Sequence, residues 1–186
     1  AHETVAHAVK AAITHQVERL SHCRRIARCL DHDINAAPVV GGSHSRHAIV
    51  ENNYVHNNTG GILAFVTPGL PIKTTSDVII RHNFIVGNNH DNFGAPGSTV
   101  AGIPPGTGVL IMAADDVVIE GNIISDNKTA GILVTDHGHA ANITVDPESE
   151  PNSDRVKILD NVMRGNGYDT IPDVKALMLT ELKQGN

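Results

Sequence analysis

Apolar residues in this chain come in short alternating runs, each broken at a fixed distance by asparagine. Four stretches share the frame: AIVENNYVHNN (48–58), VIIRHNFIVGNN (78–89), VVIEGNIISDN (117–127) and VKILDNVMRGN (156–166). In each, an asparagine is followed five residues later by another, giving Asn53/Asn58, Asn83/Asn88, Asn122/Asn127 and Asn161/Asn166. A spacing of five keeps to no face of an α-helix, whereas short strands joined by tight turns can use it. The alternation predicts a first strand with Val78 and Ile80, Val117 and Ile119, or Val156 and Ile158 turned inward. It predicts a second strand with Ile85, Ile124 and Met163 inward. A third strand, introduced by glycine, reads GGILAF (60–65), GTGVLIM (106–112) and AGILVT (130–135), with Ile62/Ala64, Val109/Ile111 and Ile132/Val134 inward. Stacked coils of this kind set each asparagine above the last. The side-chain amides then form a ladder, which is a structural role for Asn53, Asn83, Asn122 and Asn161.

Three strands per turn, all wound the same way, make an all-β fold, the right-handed parallel β-helix. On these repeats the segment 45–169 resembles the pectate-lyase-like β-helix repeat superfamily. The resemblance implies a secreted protein, extracellular or periplasmic, that binds or acts on polysaccharide. The superfamily spans lyases, epimerases, hydrolases, phage tailspikes and non-catalytic surface proteins, so the fold alone does not choose an activity. Two classes follow from it. One is a polysaccharide lyase or uronate C5-epimerase working on an acidic polymer. The other is a non-catalytic β-helix that binds glycans, packs against a partner, or assists a metalloenzyme, as one copper-enzyme maturation family with this repeat does.

Outside the repeats the pattern changes. Within residues 1–44, Val5, Val9, Ile13, Val17 and Leu20 fall at helical spacing and predict a cap over the N-terminal end, followed by a degenerate first coil in 23–44. The segment 170–186, with Val174, Leu177, Met178 and Leu182, predicts a short C-terminal cap helix. Insertions fall at 67–75, 89–105 and 137–152, on both borders of the third-strand sheet. The outward residues of that sheet include Leu63, Leu110 and Leu133. Such an apolar column calls for cover, either by the inserts or by self-association with a second chain; left open, it is a groove with loop walls.

Composition narrows the classes. Among 186 residues aromatics make up 3% and tryptophan is absent, so aliphatic ladders must fill the core. A net charge of −6 without a basic cluster argues against nucleic acid as a partner. No apolar run approaches the ~20 residues of a membrane span. The chain begins at Ala1 and shows no signal peptide, which fits a removed leader or a cut piece. Cys23 and Cys29 are close enough in sequence for a local disulfide but do not fix a compartment.

Candidate chemistry falls in three places. On the outward face of the first-strand sheet, Glu51, Arg81 and Glu120 stack in adjacent coils, as a salt-bridge column or as a lyase site. In the lyase reading, Arg81 is base or carboxylate anchor and the two glutamates are ligands of Ca2+, as the resemblance implies. His90 and Asp91 match the last two residues of the Asp-Pro-His-Asp motif of mannuronan C5-epimerases, with Asn88 and Asn89 where the Asp-Pro would stand. Asp136, His137 and His139 carry ligand types suited to zinc or copper. Asp115 and Asp116 are adjacent, so strict strand alternation would turn them to opposite faces, and they are expected to turn the chain into the next coil. GxSxG, HExxH and phosphate-loop motifs are absent.

Overall fold

The computed structural model describes residues 40–43, 46–69, 71–139 and 146–184, with side chains for 46–69, 71–139 and 146–179. The expected N-terminal helix and both cysteines lie outside the described residues. Strand β1 (Val40–Ser43) pairs in parallel with β4 (Gly60–Phe65) and takes the third-strand position of a coil preceding the first repeat. That repeat is completed by β2 (Arg46–Glu51) and β3 (Tyr54–His56). The next coils are β5 (Thr75–Arg81), β6 (Phe84–Val86) and β7 (Thr107–Met112), then β8 (Ala114–Glu120), β9 (Ile123–Ser125) and β10 (Ala130–Thr135). The last has only β11 (Lys157–Leu159) and β12 (Val162–Arg164), after which helix α1 (Pro172–Gln184) follows. The strands form three parallel sheets, ordered β1-β4-β7-β10, β11-β8-β5-β2 and β12-β9-β6-β3. This is the right-handed parallel β-helix that the repeats predict.

Burial follows the alternation through the middle coils. Val78, Ile80, Ile85, Val109, Ile111, Val117, Ile119 and Ile124 are all fully buried and form one continuous core with Val50, Val55 and Ile62. The corners are tight because single residues turn the chain in the left-handed region. Asn52, His82, Gly121 and Asp160 serve the first corner, and Asn57, Gly87, Asp126 and Gly165 the second. Asparagine, aspartate and glycine enter that region at least cost, which explains the residue before each ladder asparagine.

The ladder itself runs unbroken. Asn53 Nδ2 donates to Asn83 Oδ1 at 2.8 Å, Asn83 to Asn122 at 3.0 Å and Asn122 to Asn161 at 2.9 Å. A second column runs through Asn58, Asn88, Asn127 and Asn166 at 3.0, 3.2 and 3.0 Å. Each amide also donates to a main-chain carbonyl, as Asn122 does to Ile80 O at 2.9 Å. The ladder has a direction: along each column an amide gives one N–H to the Oδ1 of the following coil, and each Oδ1 accepts from the preceding one. At the first coil Asn53 Oδ1 and Asn58 Oδ1 are therefore buried without a donor. The glycines opening the third strands have a steric cause. A Cβ on Gly61 would lie 2.3 Å from Gly108 O, and one on Gly108 would lie 2.5 Å from Gly131 O and 2.9 Å from Asn127 Nδ2.

The C-terminal end departs from expectation. Val134, Ile158 and Met163 keep inward positions but are 41%, 48% and 48% exposed. They are in register with buried Ile111, Ile119 and Ile124, yet among the described residues no complete coil lies over them. The expected C-terminal helix is present as α1. Its Val174 and Leu177 share a hollow with Leu63 and Leu110 of the third sheet.

Candidate functional site

On the first sheet the charged column exists as an ion pair. Arg81 Nε donates to Glu51 Oε2 at 2.8 Å, both side chains being partly buried. Glu120 sits beside Arg81 in strand register. Their charges face each other along the sheet, so the guanidinium is engaged by a carboxylate rather than held free for a substrate.

At the start of this sheet, His47, Asp77, Asp116 and Arg155 all adopt positive φ. This kink cancels the expected separation of Asp115 and Asp116. Arg155 reaches both: its Nε lies 2.6 Å from Asp116 Oδ1 and its NH2 nitrogen lies 3.6 Å from Asp115 Oδ2. The guanidinium hydrogen bond holds the Asp116 carboxyl below the usual range and raises Arg155 in turn. His47 Nδ1 contacts Asp77 Oδ2 at 2.5 Å two coils earlier. These pairs latch the coil corners together.

The His90–Asp91 loop does not assemble an acid–base pair. His90 Nδ1 lies 2.9 Å from the Asp91 carbonyl and its ring meets Phe93 edge-on. The Asp91 side chain is 96% exposed, with Lys128 Nζ at 3.8 Å. Arg81 lies on a strand of the first sheet, whereas His90 follows the second strand of the same coil, so the two candidate centres are separate.

The expected metal set is corrected more sharply. Residues His137–His139 form a 3-10 turn. At three residues per turn, its first and last side chains diverge by about 120°. His137 is buried with Nε2 3.0 Å from Val66 O. His139 Nδ1 turns back to Asp136 Oδ1 at 2.9 Å. Asp136, His137 and His139 do not converge, and among the described residues no group of three acidic, histidine or cysteine side chains can hold a metal ion.

The leucine column is covered by the chain itself. Ile103 and Val100 of the 89–105 insert pack on Leu63 and Leu110, which are 1% and 6% exposed. Leu133, the third member of the column, is only partly buried. Asn92 holds the insert in place, donating to Val100 O at 2.8 Å and Ile103 O at 2.9 Å. Between this insert, the sheet and helix α1 remains a hollow of about 510 Å³.

The second sheet presents the opposite situation. Its outward row is Tyr54, Phe84, Ile123 and Val162, in register from coil to coil and 55%, 49%, 38% and 61% exposed. The Tyr54 ring lies 6.4 Å from Phe84 and 4.5 Å from the His56 imidazole. The next outward row runs His56, Val86, Ser125 and Arg164. Sequence reasoning missed this face because its strands are three residues long, too short for alternation to separate inside from outside.

One acid joins the first and last inserts. Asp146 accepts from Lys73 Nζ and Gly69 N–H, each at 2.7 Å, and from Glu148 N–H at 3.0 Å. The Lys73 hydrogen bond, then those two backbone donors, pull its carboxyl far below the ordinary 3.8. A lowered folded-state value means stabilisation that is complete above the ordinary value and lost as pH falls below it. Asp146→Asn is expected to lower the melting temperature at pH 7, and the deficit should narrow below about pH 4. A deficit that stays constant into acid would show that the charge is not what joins the inserts.

These features define a class: a parallel β-helix whose third sheet is walled by inserted loops. The chain belongs to the right-handed β-helix region family, whose profile matches residues 25–171. No curated protein and no solved structure matched it. Among the described residues no helix is long and apolar enough to cross a membrane.

Proposed function

We propose that this protein is a non-catalytic β-helix that binds a polysaccharide along its second sheet. The observation that carries the reading is the exposed column Tyr54–Phe84–Ile123–Val162, which runs along the solenoid axis. Apolar residues are aligned there at strand spacing and left in water, a sign of a surface kept for contact. Aromatic rings offer flat apolar faces to the C–H faces of sugars. The polar neighbours suit hydroxyls: His56 and Ser125 on one side, Glu51, Arg81 and Glu120 on the other. Arg81 is already paired with Glu51, which favours a neutral polymer over a uronate.

Affinity electrophoresis through gels containing neutral glucans, galactomannan, alginate or pectin tests this directly. Retardation is expected in at least one neutral gel, and Tyr54→Ala or Phe84→Ala should weaken it about tenfold. Parallel assays for unsaturated uronate and reducing ends should stay flat. Retention unchanged in both aromatic variants would refute the assigned face, and polymer cleavage would return the lyase reading.

A further inference from the structure

We propose that the hollow between the third sheet, the 89–105 insert and helix α1 binds a cationic amphiphile. Its volume of about 510 Å³ is that of a small-molecule site, and its lining is mainly aliphatic and aromatic. Leu110 and Met112 form the floor, Ile103 one wall, and Val174 and Leu177 the roof. Such a lining takes an apolar body. Charge then selects the head group: among the lining residues Asp173 is the one carboxylate, and none is lysine or arginine. His139, also lining, has its Nδ1 2.9 Å from the Asp136 carboxylate, so that nitrogen is turned away from a ligand. Thr135 contributes a hydroxyl oxygen that is buried without a hydrogen-bond partner. An apolar pocket whose lining holds one carboxylate and neither lysine nor arginine fits an aliphatic body carrying a protonated amine.

Calorimetric titration of the full chain with decylamine, decanol and decanoate, each below its micelle concentration, tests the site and its head-group preference together. Decylamine is expected to bind one per chain, more tightly than the other two. Asp173→Asn, a rim substitution, should weaken decylamine about tenfold and leave decanol unchanged. Leu133→Trp should fill the hollow and abolish binding of both, with circular dichroism checking that each variant is folded. Equal affinity for the three probes would overturn the cationic assignment. No binding, or decylamine binding unchanged in Asp173→Asn, would overturn the site. Neither result touches the second-sheet face, so this inference and the polysaccharide reading stand or fall separately.

Discussion

Replacing Asn122 with leucine is expected to cost about 4 kcal/mol of folding stability, from several buried groups losing partners at about 1–3 kcal/mol each. Asn122 is fully buried and central to the ladder. Its Oδ1 accepts from both the main-chain and side-chain nitrogens of Asn83 at 3.0 Å. Its own Nδ2 serves Ile80 O and Asn161 Oδ1, each at 2.9 Å. Leucine is of similar size but can do none of this, so donors and acceptors in the coils on either side are stranded away from water. Asn161→Leu, at the half-buried end of the same column, should cost only about 1 kcal/mol. Urea unfolding of the two variants compares them. Equal losses would mean that the ladder contributes through packing alone.

A second large effect separates the interior of the solenoid from its end. Ile119→Ala should destabilise by about 3–4 kcal/mol, because the surrounding coils are too rigid to collapse on the space left behind. Ile158→Ala removes the same atoms from the next position in the same inward row. That side chain is already 48% exposed, so a loss below about 1 kcal/mol is expected. A large loss at Ile158 would mean that something covers the last coil in solution.

How much of this was legible in the sequence depended on whether a feature repeats. The asparagines and inward aliphatics recur in every coil, so four copies reinforce each other and the register from Val78 to Val117 follows directly. The third strands were placed within a residue because a glycine opens each one. Features that occur once were harder. Asp115 and Asp116 were read by strict alternation, but the positive φ of Asp116 kinks the strand and brings both carboxylates to Arg155. Asp136, His137 and His139 looked like a ligand set because they are adjacent in sequence, and a tight turn sends the imidazoles apart. The tail helix is recognisable by periodicity, but that Val174 and Leu177 line the same hollow as Leu63 and Leu110 is not. No local pattern encodes which part of the solenoid a tail helix faces.

The direction of the asparagine ladder makes the coil a unit that can be copied. Asn83 to Asn122 and Asn122 to Asn161 are both steps of 39 residues, each step ending on an acceptor and offering a donor to the next. A tandem copy of residues 84–122 would therefore splice into the column with every amide matched, lengthening the protein without a new core to design. The step from Asn53 to Asn83 spans 30 residues, so loop length can differ between coils as long as a copy runs from one ladder asparagine to the next. The number of coils is thus free to vary while the ladder frame is not, and a lineage built this way can change its reach by whole turns.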